Sequence, residues 1–428
     1  MASKPAAVHP VTEAIEGERL TELVHTLAGF GALAEGIGID RQALTSEDLA
    51  ARRFLVDRAR TAGAKPFRDP AGNFFFHWAG RSDAHPVATG SHIDSQPSGG
   101  ALDGAYGICA GMEVLAALSA TGYRPARPIE VVVWTNEEGC RFAPGTMGSS
   151  AFADPGLMTE YLQATDAEGT TFEEALGRLD ETFSDVPRRS LGVPFSAFVE
   201  AHIEQGTLLE EAEVPVGVVE RIQGARWFVY RVTGIASHAG TTTRAKKHDA
   251  LAVAVAIANE IYSLLEAGDD DLRLTIGHLV VRPGSVNVVP AEAYFTVDLR
   301  HPRIEVLDSL EPELRALAEP RSGCEVRIER TMEMRPAVFD ERVVRTIGES
   351  AERAGLPYIE LASGAFHDAL RVMQHCPTGM VFVPSIDGLS HNPNERTNDD
   401  DLIKGTRVLA EAVLTLADTR GSLPAPLP

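Results

Sequence analysis

The stretch Ile129-Glu130-Val131-Val132-Val133-Trp134 is an almost continuous apolar run, and it reads as a strand buried on both faces, as strands of parallel sheets are. Before it, His85 to Ile93 (HPVATGSHI) reads as a second strand, running on towards a Gly/Ser-rich loop at Ser98–Gly100. Helix signals extend from Asp103 to Ala120. Strand, helix and strand joined by a long crossover form a βαβ unit, so the first half of the chain is expected to be α/β. Further out, residues 17–35 and 46–62 read as helices; in the second, Leu49, Phe54 and Leu55 share a stripe and Gly63 is a stop signal. Asn73 to Trp78 (NFFFHW) and Ala197 to Ile203 (AFVEAHI) read as further strands. Residues 154–193 are polar and acidic with weak helical patterning, and no chemistry attaches to them.

A second rhythm follows. Arg226 to Thr233 reads as a strand, Lys247 to Ala267 as a helix, Leu272 to Val281 and Ala291 to Leu299 as strands, Ile304 to Ala318 as a helix and Cys324 to Arg330 as a strand. The order β-α-β-β-α-β is that of a ferredoxin-like split βαβ unit. It predicts a compact domain inserted at 216–332 into a catalytic domain built from 1–215 and 333–428, with a mostly parallel central sheet flanked by helices. The α/β material resumes with a helix at 340–354, a strand at Met380 to Val383 and a helix at 399–418; the tail GSLPAPLP is expected to be loose.

The chain has 428 residues, enough for two or three domains. Its 39 Lys and Arg against 61 Asp and Glu give a net charge of −22, which disfavours nucleic acid and anionic membrane as partners. No apolar run reaches the roughly 18 residues of a membrane span, and the N-terminus lacks the apolar core of a signal peptide. Cys109, Cys140, Cys324 and Cys376 are scattered, with no CxxC, so a reducing cytoplasm is the expected compartment.

Chemistry gathers in short polar segments at predicted strand ends. These are Gly90-Ser91-His92-Ile93-Asp94, Gly100-Ala101-Leu102-Asp103-Gly104, Thr135-Asn136-Glu137-Glu138-Gly139, Glu200-Ala201-His202-Ile203-Glu204-Gln205-Gly206 and Ser390-His391-Asn392. In open α/β sheets, ligands bind beyond the carboxyl ends of the strands, so segments distant in sequence can meet there. Imidazole nitrogen and carboxylate oxygen are zinc donors. One ion needs about four of them; His92, Asp103, Glu138, His202 and His391 make five, which suits two ions sharing a bridging carboxylate. Glu137 is then free to act as a base. A lone histidine is usually a surface or satisfied core residue, an adjacent Glu-Glu pair is usually solvated, and Ser98-Gly99-Gly100 matches no phosphate-binding fingerprint. The joint occurrence is what points to a metallohydrolase.

These segments, in this order, resemble the zinc aminoacylase–carboxypeptidase superfamily. More narrowly, the chain resembles the branch of N-carbamoyl-L-amino acid hydrolases, β-ureidopropionases and allantoate amidohydrolases. The stretches GSHIDSQPSGGALDGAYG, TNEEGCRFAPGTMGSSAF, EAHIEQG, TGIASHAGTT, SVNVVPAEAYFTVDLRHP, SGAFHDAL and SHNPNE carry the likeness, which spans about residues 20 to 418. It implies metal ligands at His92, Asp103 (bridging), Glu138, His202 and His391, Glu137 as base, and Asp94 orienting His92 or its neighbours. It also implies substrate contacts at Gln205, His238, Asn287 and Arg300 and through the backbone of Gly364 and Ala365. The inserted domain would be a lid and dimerisation domain, with His238 reaching the partner subunit's active site. Relatives often carry a basic residue and an aromatic where Ala101 and Leu102 stand, and glycine in place of Phe366; these departures bear on the substrate. His238 and Arg300 also admit plain readings, as a turn residue and a surface ion-pair partner. His278 reads as structural, and His367-Asp368 is open to either role.

The implied reaction is hydrolysis of the C–N bond of an N-carbamoyl amino acid to the amino acid, ammonia and carbon dioxide. Two divalent ions are expected per subunit, zinc first and manganese, cobalt or nickel as alternatives. The substrate is expected to be a small molecule with a free carboxylate held by Arg300, and the enzyme a homodimer. The rivals are an N-acyl-amino-acid amidase or dipeptidase of the same superfamily, an allantoate amidohydrolase, a silent binding protein and a single-metal enzyme.

Overall fold

The computed structural model describes residues 7–34, 38–263 and 271–419. The tail GSLPAPLP and the last residues of the helix expected at Lys247 to Ala267 lie outside them. The chain forms two compact units, Met1–Glu220 with Phe339–Pro428, and Arg221–Val338.

In the first unit four parallel strands form the centre of the sheet, in the order Ile129–Trp134, Val87–His92, Ala197–Ile203 and Thr378–Val383. All four are buried along their length, as a sheet covered on both faces requires. Phe74–Trp78 and Lys65–Arg68 extend one side antiparallel. Val216–Ile222 extends the other, pairing antiparallel with Thr378–Val383. The sequence reading set the start of the insertion at residue 216 and expected no strand there. Its VGVV run is buried because it continues the central sheet.

The βαβ crossover is Ala105–Thr121, a helix with both flanks buried between sheet and outer helices. Gly107 lets it approach the sheet, since a Cβ there would run into the carbonyl of Ala201. Gly17–Ala28, Ser46–Ala62, Glu341–Arg353 and Asp399–Asp418 complete the helical cover. Ser46–Ala62 is capped by the Thr45 side chain and ends at left-handed Gly63, as its sequence predicts. The helix expected to reach residue 35 stops at Ala28, where Gly29 and left-handed Gly31 turn the chain. The acidic 154–193 segment is packing material. Its helix Phe172–Thr182 has a Thr171/Glu174 capping box and buries Phe172, Leu176 and Leu179.

The second unit has an antiparallel sheet in the order Leu279–Arg282, Glu292–His301, Gly224–Thr233 and Glu325–Met334, with Arg273–Thr275 also pairing Glu292–His301. Helices Ala250–Ser263 and Ile304–Ala316 bury one face, with Phe228, Tyr230, Val232, Phe295, Val297, Leu307 and Leu314 in the core. The single strand expected from Leu272 to Val281 is two strands. Thr275 pairs with Asp298 but Leu279 with Phe295, a one-residue slip across Ile276–His278 that makes a bulge. Among the described residues no helix is long and apolar enough to cross a membrane.

Candidate metal centre

The carboxyl ends of the four parallel strands deliver the polar segments to one place. His92 is the last residue of its strand and His202 the penultimate of its own. Glu137 and Glu138 follow Ile129–Trp134, and His391 lies in the loop after Thr378–Val383. Asp103 sits just before the crossover helix. Gly104 turns the chain with φ +63°, and a Cβ there would collide with the His92 ring.

Asp103 is at the centre. Its Oδ1 lies 3.2 Å from His202 Nε2 and 3.7 Å from His92 Nε2. Its Oδ2 lies 3.2 Å from His391 Nε2, which is 3.6 Å from Glu138 Oε2. The carboxylate thus faces two donor sets, His92 with His202 and His391 with Glu138, and both are among the groupings able to hold an ion. Glu137 Oε2 stands 3.6 Å from His92 Nε2, on the edge of the first set.

The hydrogen-bond network tests whether a cation fits. His92 Nδ1 lies 2.9 Å from the carbonyl of Asp94, and His202 Nδ1 2.9 Å from that of Ile203. Each Nδ1 must donate, so in the neutral rings each Nε2 presents a lone pair to Asp103 Oδ1. The Gly104 N–H, 3.0 Å from His202 Nε2, agrees. Lone pairs facing a carboxylate repel unless a proton or a cation lies between them. The separations of 3.2–3.7 Å resemble the edge of a tetrahedron of donors about 2.0–2.1 Å from zinc, roughly 3.3 Å. The residues therefore fit a divalent metal.

Where a proton takes that place instead of a cation, the charges form a paired cluster. Burial works against the Asp103 carboxylate, but its bonds to His202 and His391 hold it well below the usual range. Burial also opposes charge on His202, yet Asp103 and Glu200 raise it to about 9; His391 is raised to about 9 by its bond to Asp103. Burial and then the negative field of Asp368, Glu138, Asp94 and Asp103 push Glu137 well up, and burial with Asp103 lifts Glu138 to about 8. A buried surplus of carboxylates is relieved by a cation.

Asp94 acts mainly on its neighbours. Its carboxylate accepts the N–H groups of Glu137 (3.2 Å) and Glu138 (3.1 Å), while its backbone carbonyl orients His92. Gln205, held at φ +60°, donates from Nε2 to Asp103 Oδ2 and Ser390 Oγ at 3.0 Å each, and its Oε1 is buried without a partner. Gly364 is exposed, and the Ala365 N–H is engaged by Ser363 Oγ at 3.1 Å.

The remaining expected residues lie in the second unit. Exposed His238 pairs with Val288, and the N–H of Ala239 bonds the carbonyl of Asn287 at 2.9 Å, so His238 and Asn287 are neighbours. The N–H groups of Gly240 and Thr241 both donate to His238 Nδ1, at 3.1 and 3.2 Å, leaving the proton of the neutral ring on Nε2. Arg300 does not emerge past its strand as the sequence suggested. The strand runs on to His301, and Arg300 lies on the same face as Asp298, which it grips through Nε and Nη2. His278 packs edge-on against Tyr294.

Glu200, Gln96 and Glu395 at the centre were not singled out as site residues, and His367 was left open to either role. Glu200, within EAHIEQG, is fully buried and accepts Ser91 Oγ (2.5 Å) and the Ala369 N–H (2.8 Å). His367 stacks edge-on against His202 at 4.5 Å and bonds Ser363 Oγ at 2.9 Å. Gln96 donates from its backbone and side chain to Glu138 at 3.1 and 2.7 Å. Glu395, the last residue of SHNPNE, accepts from the backbone of Leu102 and Asp103. Only the presence of Glu200 and Glu395 inside the motifs could have flagged them.

Comparison with known proteins gives the same grouping. Residues 88–415 match peptidase family M20/M25/M40. The N-carbamoyl-L-amino acid amidohydrolase of Geobacillus stearothermophilus is 37% identical over 409 residues, covering 94% of this chain and 99% of that protein. The allantoate amidohydrolase of Escherichia coli K12 is 34% identical over 408 residues, covering 94% and 98%. The crystal structure of an amidase of the hydantoinase/carbamoylase family from Burkholderia multivorans superposes with a TM-score of 0.88 at 40% identity, over 95% of this chain and 98% of that one. The chain belongs to peptidase family M20/M25/M40, a metal-dependent family, and it is a hydrolase acting on C–N bonds.

Proposed function

We propose that the chain hydrolyses the C–N bond of an N-carbamoyl amino acid, releasing the amino acid, ammonia and carbon dioxide. The observation that carries this reading is the Asp103 carboxylate, each oxygen facing its own set of donors, with the Glu137 carboxylate at the edge of the first set. His92, His202 and Asp103 would hold one divalent ion and His391, Glu138 and Asp103 a second, zinc before manganese, cobalt or nickel. When bound, such ions supply Lewis acidity that polarises a carbonyl and lowers the pKa of water.

The chain's own residues do the rest. Glu137 takes the proton of the attacking water and returns it to the leaving nitrogen. Asp94 fixes the Glu137 backbone, so the carboxylate does not drift from the site. His238, with its proton on Nε2, donates to the developing oxyanion, and Asn287 beside it contacts the substrate. Gln205 Oε1 and the backbone of Gly364 and Ala365 face the substrate. Arg300 binds the substrate carboxylate through its planar fork. The second unit serves as a ferredoxin-like lid and as the dimer contact, with His238 acting in the partner's site. The four cysteines, all free thiols, suit the cytoplasm.

A screen over N-carbamoyl amino acids, ureidopropionate, allantoate and N-acyl amino acids, reading both released ammonia and freed amino acid, tests the substrate. Ammonia from carbamoyl amino acids is expected. Hydrolysis of N-acyl amino acids alone would make the enzyme an acylase, and allantoate alone would place it with the allantoate amidohydrolases. Mixing inactive His238→Ala with inactive Glu137→Gln tests the shared site. Heterodimers should regain activity, and no rescue despite proven subunit exchange would rule it out.

A further inference from the structure

The donor sets flanking Asp103 are supported unequally. His92 and His202 end sheet strands, and each has its Nδ1 tied to a backbone carbonyl. His391 belongs to a loop, has φ +51°, and its side chain is 54% exposed. Something other than the sheet must hold that half in place.

The structure assigns this task to Glu395. Its side chain is buried against the Gly100–Asp103 turn, and Gly100 makes the room, because a Cβ there would overlap Glu395. One carboxylate oxygen, Oε1, accepts the N–H of Leu102 at 2.9 Å and of Asp103 at 3.0 Å. The other, Oε2, accepts Ser390 Oγ at 2.8 Å. Ser390 Oγ lies 3.3 Å from Asp103 Oδ2 and receives Gln205 Nε2 at 3.0 Å. The residue after Ser390 is His391. One carboxylate therefore joins the backbone of the bridging aspartate to the loop that carries the exposed ligand. Two hydrogen bonds of an ionised acceptor to N–H groups and one to a hydroxyl are among the stronger kind.

We propose that Glu395 is a positioning residue that sets the affinity of the Asp103–Glu138–His391 half of the centre, leaving the His92–His202 half largely independent. The proposal rests on the two-metal reading of the site. Groups that orient metal ligands in other proteins change affinity by roughly 10–100-fold when removed.

The test is calorimetric titration of Zn²⁺ into chelator-stripped protein, so the readout is binding and not turnover. Wild type should show two binding events and His391→Ala should lose one. Glu395→Ala should weaken that same event by roughly 10–100-fold and leave the other within about threefold. Glu395→Gln should recover most of the loss, because its amide oxygen can still accept the Leu102 and Asp103 N–H groups. Ser390→Ala, which removes the hydroxyl's bonds to Glu395, Asp103 and Gln205 but keeps those of Glu395 to the Leu102 and Asp103 N–H groups, should give a smaller loss on the same event, and it decides the matter if Glu395→Ala does not fold. Two events in wild type with no change in the variants, or equal weakening of both events, overturns the role of Glu395 and leaves the two-metal reading standing. A single event in wild type overturns both.

Discussion

In the first unit His92, Asp103, Glu137, Glu138 and His202 are buried or nearly so, and each is tied to a neighbour by backbone or side-chain bonds. In the second unit His238 is exposed, and Arg300 is half-buried on an open sheet face, held by a partner two residues away. The difference follows from sheet type. Parallel strands end in loops beneath covering helices, so residues there are desolvated, and charge is tolerated only when paired or cation-bound. An antiparallel sheet covered on one side leaves alternate residues in water, where a side chain can meet a ligand at little desolvation cost. The proposed function uses the first setting for metal and base and the second for the substrate's carboxylate.

Four experiments press on this contrast, from the largest effect to the smallest. Stripping divalent ions with a chelator should abolish turnover, and adding zinc or manganese should restore it. Full turnover in a verified metal-free preparation would mean that the buried carboxylates serve packing alone. Glu137→Gln should retain bound metal and lower kcat by roughly 10²–10⁴-fold, as loss of a general base does. Glu138→Gln should instead reduce metal content measured by elemental analysis. An exchange of these two phenotypes would reverse the assignment of the neighbouring carboxylates.

Arg300→Lys should raise KM by roughly 10–100-fold, the range implied by about 1.5–3 kcal/mol for hydrogen bonds to a charged group. Esterifying the substrate carboxylate should have a similar effect on wild type and little further effect on the variant. Equal turnover of ester and acid would remove the carboxylate clamp. Asp298→Asn should be mildest, shifting KM by at most about fivefold, because a half-exposed ion pair contributes about 0–1 kcal/mol. A larger shift would show that Arg300 needs that anchor as firmly as the buried ligands need theirs.

The residues legible in advance share one physical trait, strong local pattern. Ile129–Trp134, Ala197–Ile203 and Asp399–Asp418 appear where their hydrophobic pattern placed them. Polar residues at or just past the ends of buried strands marked His92, Glu137, Glu138 and His202, because a doubly covered sheet leaves only its strand ends for chemistry. That local record carried the α/β architecture and the donor types. Other features depended on partners far away in the chain. Val216–Ile222 looked like the start of an insertion, and only pairing with Thr378–Val383 made it part of the central sheet. Arg300 looked like a strand end until pairing with Ala225 and Arg273 carried the strand past it. Glu200 and Glu395 resemble ordinary acidic residues in the chain. Their importance comes from Ser91, Ala369, Leu102 and Asp103, brought to them by folding. Backbone propensity and burial act over a few residues and can be read along the chain, whereas hydrogen-bond partners separated by a hundred residues or more exist only once the sheet has closed its loops around them.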